Sequence, residues 1–311
     1  MIQYLKHNQV DKQRWDDCIA RSLNRRVYAF SWYLDIVCPG WDALVTCDYD
    51  AVFPLTWNRK WSVNYLYQPY FAQQLGIFST HRIGKVDVQK FLQAVPEKFR
   101  FAEIQLNGMN VFPVEGWDLK SRLNHELSLN PSYPELSSRY SQNTKRNLKK
   151  AKDAGVTVGK QPTMTELVNL FKTSFGEKEG KLKEGNYSTI HELLQYFHEH
   201  GTGHPVGAYS AANQLSAAAF FVNDHTRVYF LFAASSPQAR ENGAMFFLID
   251  NFLVNNAGRP LTLDFEGGND PHLGRFYKSF GATEVSYPFM GMNRLPSVVQ
   301  LGLYCARKIR Y

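Results

Sequence analysis

The sequence is poor in cysteine and has no long apolar run. Its 311 residues include four cysteines, and no two of them have the close spacing of a metal site or a disulfide framework. Scarce, unpaired cysteines are typical of proteins from a reducing compartment. The amino terminus lacks the apolar core of a secretory signal, and no stretch approaches the roughly 20 apolar residues that a spanning helix needs. We therefore expect a cytoplasmic protein with no metal and no stable membrane insertion.

Several motifs for nucleotide binding and catalysis are also missing. The sequence contains no G-x-x-x-x-G-K-[ST], no G-x-G-x-x-G and no G-x-S-x-G. The zinc-binding pattern H-E-x-x-H is approached at His191, but Gln195 stands in place of the second histidine. These absences argue against a P-loop NTPase, a Rossmann-type dinucleotide enzyme, an α/β-hydrolase and a zinc protease.

What the sequence does contain is ample apolar material and an excess of positive charge. Hydrophobic residues make up 44% of the chain, aromatic residues 14%, and the net charge is +7. The length of 311 residues favours two domains, because single cores stop growing near about 250–300 residues. The charge favours an anionic partner without naming one.

The clearest pattern of elements lies in the second half of the chain. Residues 156–290 are predicted to form strands and helices in the order β-α-α-β-β-β-α-β-α-β, which is typical of a mixed sheet flanked by helices. A polar, basic helix precedes them and ends at Gly155. We place the boundary there, between domains 1–155 and 156–311. The expected fold class is α/β (α+β).

The turn after the predicted strand Arg227–Ala233 is the first candidate site. A helix capped at Asn242 leaves Gln238–Glu241 as a loop and keeps Gly243 out of a helix interior, where it costs about 1 kcal/mol relative to Ala. Backbone N–H groups then converge on the helix amino terminus, where they bind anions. The alternative is an ordinary strand-to-helix turn.

The segment LTLDFEGGND and the helix after it form the second candidate site. Strand alternation puts Asp264 and Glu266 on one face of an apolar strand, and buried carboxylates need partners or a function. The alternative is that they bond to backbone N–H groups or to a nearby arginine. Gly267 and Gly268 let the backbone approach a ligand closely. One turn before the end of the next helix, Tyr277 either donates a proton or simply packs.

Taken in order, these segments resemble the GNAT acyltransferase superfamily over residues 156–290. Arg240-Glu-Asn-Gly243 resembles the family's [RQ]-x-x-G-x-[GA] pyrophosphate loop, with Met245 at the last position, and FYKSFGA resembles its F-Y-x-x-x-G-F pattern, with Ala282 in place of the last Phe. The resemblance implies an acyl-CoA cofactor, such as acetyl-CoA, and a proton-donating role for Tyr277. The residues implied for cofactor binding are Phe232, Ala233, Ala234, Arg240, Glu241, Asn242, Gly243 and Ala244.

Nearly the whole chain also resembles the Fem-type aminoacyl ligases, which contain two GNAT-like lobes. Their basic helix is similar to KRNLKKAKDAGV at 145–156, and their D-F-x-G strand end is similar to Asp264–Gly267. The resemblance implies two lobes, each a mixed sheet flanked by helices, an aminoacyl-tRNA donor and a peptidoglycan-precursor acceptor. A degenerate first lobe would bind the acceptor, unless its polar loop only packs on that lobe. The residues implied for substrate binding are Tyr67, Gln68, Gln73, Gln74 and Arg146.

We therefore predict an acyltransferase that acylates an amine on a small-molecule or peptidoglycan-precursor acceptor. Acyl-CoA is the first donor to consider, aminoacyl-tRNA is the alternative, and a non-catalytic binding module is a third interpretation. Glu266 or Asp264 is the candidate base, Tyr277 the candidate acid, and N–H groups around Phe232–Ala234 the candidate oxyanion contacts. The tail 297–311 is expected to dock on the first lobe or to contact a lipid surface.

Overall fold

The computed structural model describes residues 1–176, 184–296 and residue 300. Contacts between Cα atoms divide the chain into two units. The first unit combines Met1–Arg122 with the segment from Tyr287 onward, and the second unit is Leu123–Ser286. The predicted alternatives for the tail 297–311 concern residues outside the described part of the chain.

The first unit contains two groups of strands with short helices beside them. Strands β1, β2, β3 and β6 form an antiparallel sheet in that order. Strands β4, β5, β7 and β14 are neighbours in that order, and only the β5–β7 pair is parallel. The elements are β1 (Ile2–Leu5), α1 (Lys12–Arg21), α2 (Ser31–Val37), β2 (Asp42–Thr46), β3 (Ala51–Leu55), β4 (Trp57–Lys60), β5 (Val63–Tyr67), β6 (Phe78–Ser79), α3 (Lys85–Gln93), β7 (Phe99–Gln105) and β14 (Thr283–Asn293), of which β14 enters this unit at Tyr287.

The second unit is built on a mixed sheet in the order β8-β13-β12-β11-β10-β9. Neighbouring strands are antiparallel except for β12 and β13, which are parallel. The elements are β8 (Asp118–Ser128), which enters this unit at Leu123, α4 (Tyr133–Ser138), α5 (Gln142–Asp153), β9 (Thr157–Val158), α6 (Met164–Phe171), α7 (Glu184–Glu199), β10 (Gly203–Tyr209), β11 (Leu215–Asp224), β12 (Arg227–Ser235), α8 (Pro237–Asn242), α9 (Ala244–Asn256), β13 (Thr262–Asp264) and α10 (Pro271–Lys278). Both units therefore have the predicted architecture, a mixed α/β arrangement of sheets flanked by helices.

The core of the second unit lies where the central strands meet α5 and α9. Buried apolar side chains from β11, β12 and β13 pack with Leu248, Ile249 and Leu253 of α9. Helix α5 contributes Ala151, which is fully buried, and Leu148, which packs against the same cluster. Its amino terminus is capped by Ser141, whose hydroxyl accepts a bond from the Thr144 N–H.

The boundary between the units differs from the one expected at residue 155. The basic helix α5 was expected to close the first domain, but it packs on α9 within the second unit. The reason is that α5 has two faces: lysines cover one face, while Thr144 and Ala151 are buried on the other. The second unit also begins earlier, at Leu123, because β8 pairs with β13.

Among the described residues, no helix combines the length and the apolar character needed to cross a membrane.

Candidate functional site

The turn that follows β13 is held by consecutive residues of β8. The Asn124 side chain donates to Asp264 Oδ1 at 2.8 Å and accepts from the Gly267 N–H at 3.0 Å. The backbone N–H of Leu123 donates to Asn269 Oδ1 at 3.0 Å. Strand β8 therefore fixes both ends of the segment that contains the predicted catalytic residues.

Asp264 lies at the centre of a buried charge network. Its Oδ2 accepts from Arg227 Nη1 at 2.8 Å, and its Oδ1 accepts from the Glu266 N–H at 3.0 Å. The same Arg227 nitrogen donates to Glu126 Oε1 at 2.7 Å. The Asp264 side chain is completely buried. These contacts match the alternative in which the carboxylate bonds to an arginine and to backbone N–H groups, so Asp264 is suited to hold the turn rather than to collect a proton.

Glu266 and Tyr277 both lie next to Gly267. Glu266 adopts a left-handed backbone conformation, with φ of 59°, and is half-buried. The Tyr277 ring stacks on the Phe265 ring with centroids 4.6 Å apart, and its hydroxyl lies about 4.0 Å from the position that a Cβ on Gly267 would take. Two predicted catalytic residues are thus brought to one turn.

The environment of Tyr277 keeps its hydroxyl protonated. Burial raises the pKa of Tyr277 well above its ordinary value, and nearby carboxylates, chiefly that of Glu266, raise it further. A phenol in such surroundings retains its proton at neutral pH. It can give that proton to a leaving group that is itself strongly basic.

The segment predicted as a phosphate-binding loop is largely helical. Pro237–Asn242 forms helix α8, whose amino terminus is capped by the Ser236 hydroxyl, so the loop expected at Gln238–Glu241 is wrong. Ser236 and Pro237 provide a cap and a first-turn proline, which favour a helix start. Gly243 then takes a left-handed conformation, with φ of 70°, and separates α8 from α9. Helix α9 has Gly243 as its N-cap, so the cap expected at Asn242 is wrong, although the Asn242 side chain accepts from the Ala244 N–H at 3.0 Å.

The Cα of Gly243 faces the backbone of α5. A Cβ added to Gly243 would lie 2.5 Å from the carbonyl oxygen of Asn147, so any larger residue would displace that helix. The space beside this glycine is therefore filled by protein, and the group that fills it carries a negative partial charge. Met245, the last residue of the predicted loop motif, packs against the core. Arg240 and Glu241 are exposed.

Comparison with known proteins agrees with the order of these elements. Residues 138–279 match the family model described as "Acetyltransferase (GNAT) domain". Residues 138–279 are therefore similar to a GNAT acetyltransferase domain, and we call this part of the chain the GNAT domain. The matched segment begins at the end of α4 and ends just after α10, so it contains both the turn after β13 and helix α5. No curated protein matches the chain.

Solved structures resemble the chain over almost its entire length. FemX covers 97% of this chain and 99% of its own, with a TM-score of 0.67 and 13% identity. The structure of L-PGS from Bacillus licheniformis covers 96% of each chain, with a TM-score of 0.54 and 10% identity. A GCN5-related N-acetyltransferase from Sphaerobacter thermophilus covers 95% of this chain and 96% of its own, with a TM-score of 0.51 and 10% identity. These likenesses show that the fold is GNAT-like and Fem-like.

The candidate oxyanion residues lie in β12 of the GNAT domain, beyond the end of its ladder with β13. The ladder between β12 and β13 ends at the pair Tyr229–Asp264. The register of β12 against β11 shifts just beyond this point, where Phe230 pairs with Phe221 and Phe232 with Phe220. Phe232, Ala233 and Ala234 follow the shift. A β-bulge redirects the backbone groups next to it, so the predicted oxyanion role of these N–H groups stays a prediction.

The predicted substrate-binding residues belong to different units. In the first unit, Gln68 Oε1 accepts from the Gln105 N–H at 2.9 Å and Gln74 is buried with its amide donating to Gln73 Oε1 at 2.8 Å. Tyr67 donates to the Cys38 sulfur at 3.5 Å. These contacts match the alternative in which the loop packs on its own lobe. Arg146 is exposed on α5 of the GNAT domain.

Proposed function

We propose that the GNAT domain transfers an acyl group from an RNA-linked ester, of the aminoacyl-tRNA type, to an amine. The proposal rests on one distance: a Cβ added to Gly243 would lie 2.5 Å from the carbonyl oxygen of Asn147. In the resemblance to GNAT enzymes, that glycine lets the pyrophosphate of acyl-CoA approach the backbone. Here a carbonyl oxygen fills that side of the glycine, and it repels an anion both sterically and electrostatically. A pyrophosphate therefore has no room on the side of this glycine that faces α5.

The exposed face of α5 provides a place for a larger polyanion. Lys145, Lys149 and Lys152 follow one another at helical spacing and line one groove. Helix α4 forms the other side of the groove with Tyr133 and Ser137, and Asp153 is the carboxylate that lines it. The groove is open to solvent and has a volume of about 600 Å³. Within residues 1–176 and 184–296, no carboxylate forms an ion pair with these three ammonium groups. Unpaired cations in a row favour a phosphodiester backbone.

The turn after β13 supplies the groups that the transfer needs. The acceptor nitrogen attacks the ester carbonyl, a C–N bond forms and the C–O bond to the ribose breaks. Glu266 takes the proton that the amine loses, and Tyr277 gives its proton to the departing ribose oxygen. Solvent returns the proton from Glu266 to Tyr277 after the products leave. The backbone N–H groups around Phe232–Ala234 would stabilise the oxyanion, so catalysis rests on positioning and electrostatics.

The acceptor that we propose is an amine on a peptide-like cell-wall precursor. The resemblance to Fem-type ligases and the similarity of the whole chain to FemX support this choice. The first unit would bind the acceptor through surfaces next to its polar loop, in which Tyr70 is 55% exposed.

Acyl-CoA is the second candidate donor. The family model is described as an acetyltransferase domain, and Arg240 is exposed in the last turn of α8, which ends before Gly243. For this donor the pyrophosphate would have to bind Arg240 and the end of α8 without approaching Gly243.

Reversing the three groove lysines tests the RNA donor. We expect Lys145→Glu, Lys149→Glu and Lys152→Glu together to weaken tRNA binding at least tenfold, because three cationic contacts with phosphates are lost. The slope of log affinity against log salt should fall by about 2–3, at roughly 0.7–0.9 for each phosphate contact. The measurement is filter binding or anisotropy with uncharged tRNA at several salt concentrations.

A variant with the same charge change is the control. Reversing Lys60, Lys85 and Lys90, which are exposed in the first unit, alters net charge equally and should leave the slope close to that of the parent protein. Equal losses in both triple variants would mean that only net charge matters. An unchanged slope in the α5 variant would remove this helix from the donor site.

A further inference from the structure

A buried histidine on β8 lies directly against the turn that carries Glu266. His125 has a side chain that is 1% exposed, and its imidazole ring lies 5.9 Å from the Tyr277 ring between centroids. Its own backbone oxygen accepts from the Phe265 N–H at 3.0 Å, so the strand ladder continues up to this residue. None of the roles assigned so far uses this ring.

Two glycines make room for the imidazole. A Cβ on Gly268 would lie 2.2 Å from His125 Nδ1, and a Cβ on Gly274 would lie 3.2 Å from its Cε1. Gly268 belongs to the turn, whereas Gly274 belongs to helix α10, one turn before Tyr277. The ring therefore occupies a space between the turn and the helix that carries the candidate acid. A side chain at Gly268 would force the ring out of this space, whereas one at Gly274 would press against it.

The contacts of His125 determine which ring nitrogen carries a proton. Nδ1 lies 3.0 Å from the Gly267 carbonyl oxygen. Because a carbonyl can only accept, Nδ1 must be the donor. Nε2 is buried and has no hydrogen-bond partner among the described residues; the Glu284 carboxylate is 4.0 Å away. A buried polar atom without a hydrogen-bond partner is rare, so an apolar side chain would suit this place better if packing were its only role.

The bond from His125 is the second hydrogen bond that β8 makes with Gly267 in the turn. Gly267 donates its N–H to Asn124 and accepts at its carbonyl from His125. Immediately before it, Glu266 holds a left-handed backbone conformation that non-glycine residues rarely adopt. Such a conformation persists only where neighbouring contacts enforce it.

We propose that His125 is a positioning residue, whose Nδ1–H bond to the Gly267 carbonyl holds Glu266 and Tyr277 in the geometry for proton transfer. The proposal rests on the proposed function, because it takes those two residues as the groups that move protons. It assigns His125 no contact with the substrates. Its effect should therefore appear in the rate of the chemical step and not in the affinity for the donor.

Two substitutions separate the hydrogen bond from the packing. His125→Asn keeps an N–H donor at the δ position, whereas His125→Leu fills the space without a donor. We expect His125→Leu to lower the single-turnover rate of transfer from alanyl-tRNA to a peptide with a free amine by about 100-fold, with the Kd for the donor changed less than about threefold. His125→Asn should recover most of that loss. As a control for stability, Leu127→Ala removes buried apolar contacts from the same strand and should lower Tm while leaving the rate near that of the parent protein.

A second readout does not depend on the donor. In NMR spectra of the full chain uniformly labelled with ¹⁵N, the His125 ring should carry a proton on Nδ1, and the Gly267 amide resonance should move in His125→Leu and stay near its original position in His125→Asn. A ring protonated only on Nε2, or an unmoved Gly267 amide in His125→Leu, would overturn the positioning role whatever the activity. Equal rate losses in the Leu and Asn variants would also overturn it. If instead the parent protein transfers nothing from alanyl-tRNA while the spectra behave as expected, the proposed donor fails and the positioning contact stands.

Discussion

Replacing Glu266 by Gln or Tyr277 by Phe should lower the rate of acyl transfer by about 10²–10⁴-fold, which is the usual loss when one proton-transferring group is removed. Both substitutions preserve the shape of the side chain. Tyr277 is buried against Phe265, and its hydroxyl lies beside Gly267, so the phenylalanine ring should pack in the same place. Donor binding should change little, because neither residue lies in the α5 groove. The measurement is single-turnover transfer at saturating donor, with donor binding measured separately.

A buried tyrosine of the first unit is the control for this experiment. The Tyr49 hydroxyl accepts from the Asp11 N–H at 3.1 Å, and Tyr49→Phe removes that hydroxyl. Its rate should stay within about threefold of the parent rate, since only a structural hydrogen bond is lost. Full activity in both Glu266→Gln and Tyr277→Phe would mean that the turn after β13 is not the reaction centre.

Asp264→Leu should destabilise the protein by about 3–5 kcal/mol, the usual cost of removing one partner from a buried ion pair. The Arg227 guanidinium is largely buried, and after the substitution it would keep Glu126 as its carboxylate contact. Glu266 would also lose the bond from its N–H to Asp264 Oδ1. Asp264→Asn should cost less, because the amide oxygen can still accept from Arg227. Urea unfolding of the three proteins measures the effect.

The exposed pair Lys172–Glu184 is the comparison for the buried pair. Its two side chains are 48% and 79% exposed, so Lys172→Ala should cost no more than about 1 kcal/mol. A loss of similar size in Asp264→Leu would show that the Arg227–Asp264 contact contributes little to stability. A stable but inactive Asp264→Leu protein would instead return Asp264 to the list of candidate bases.

The sequence was informative where the pattern of elements is strong. The order of strands and helices predicted between residues 156 and 290 agrees with the structure except for the additional helix α8. Helix α10 begins at Pro271 with Asp270 as its cap. The motif residues also proved close in space, because Glu266 and Tyr277 flank one short turn and helix in sequence. Local motifs of this kind need no tertiary information.

Long-range contacts were the part that the sequence could not provide. Strand β8 reads DLKSRLNHELS, which has neither the apolar alternation nor the β-branched residues that predict a strand, so Asn124 and His125 went unnoticed. The partner of Asp264 is Arg227, 37 residues earlier in the chain. The basic residues of α5 predicted a linker or a binding surface, but its buried Thr144 and Ala151 place it within the GNAT domain.

The nature of the donor is tested most directly by thermal unfolding of the full chain with acetyl-CoA, with uncharged tRNA and with aminoacylated tRNA. A ligand that binds the folded state at about 100 times its Kd stabilises it by about 2.7 kcal/mol, which is a measurable rise in Tm. The approach of Asn147 to Gly243 and the lysine groove on α5 predict a rise with both RNAs, larger for the aminoacylated form, and none with acetyl-CoA. A saturable rise with acetyl-CoA, without any rise for either RNA, would contradict the proposed donor.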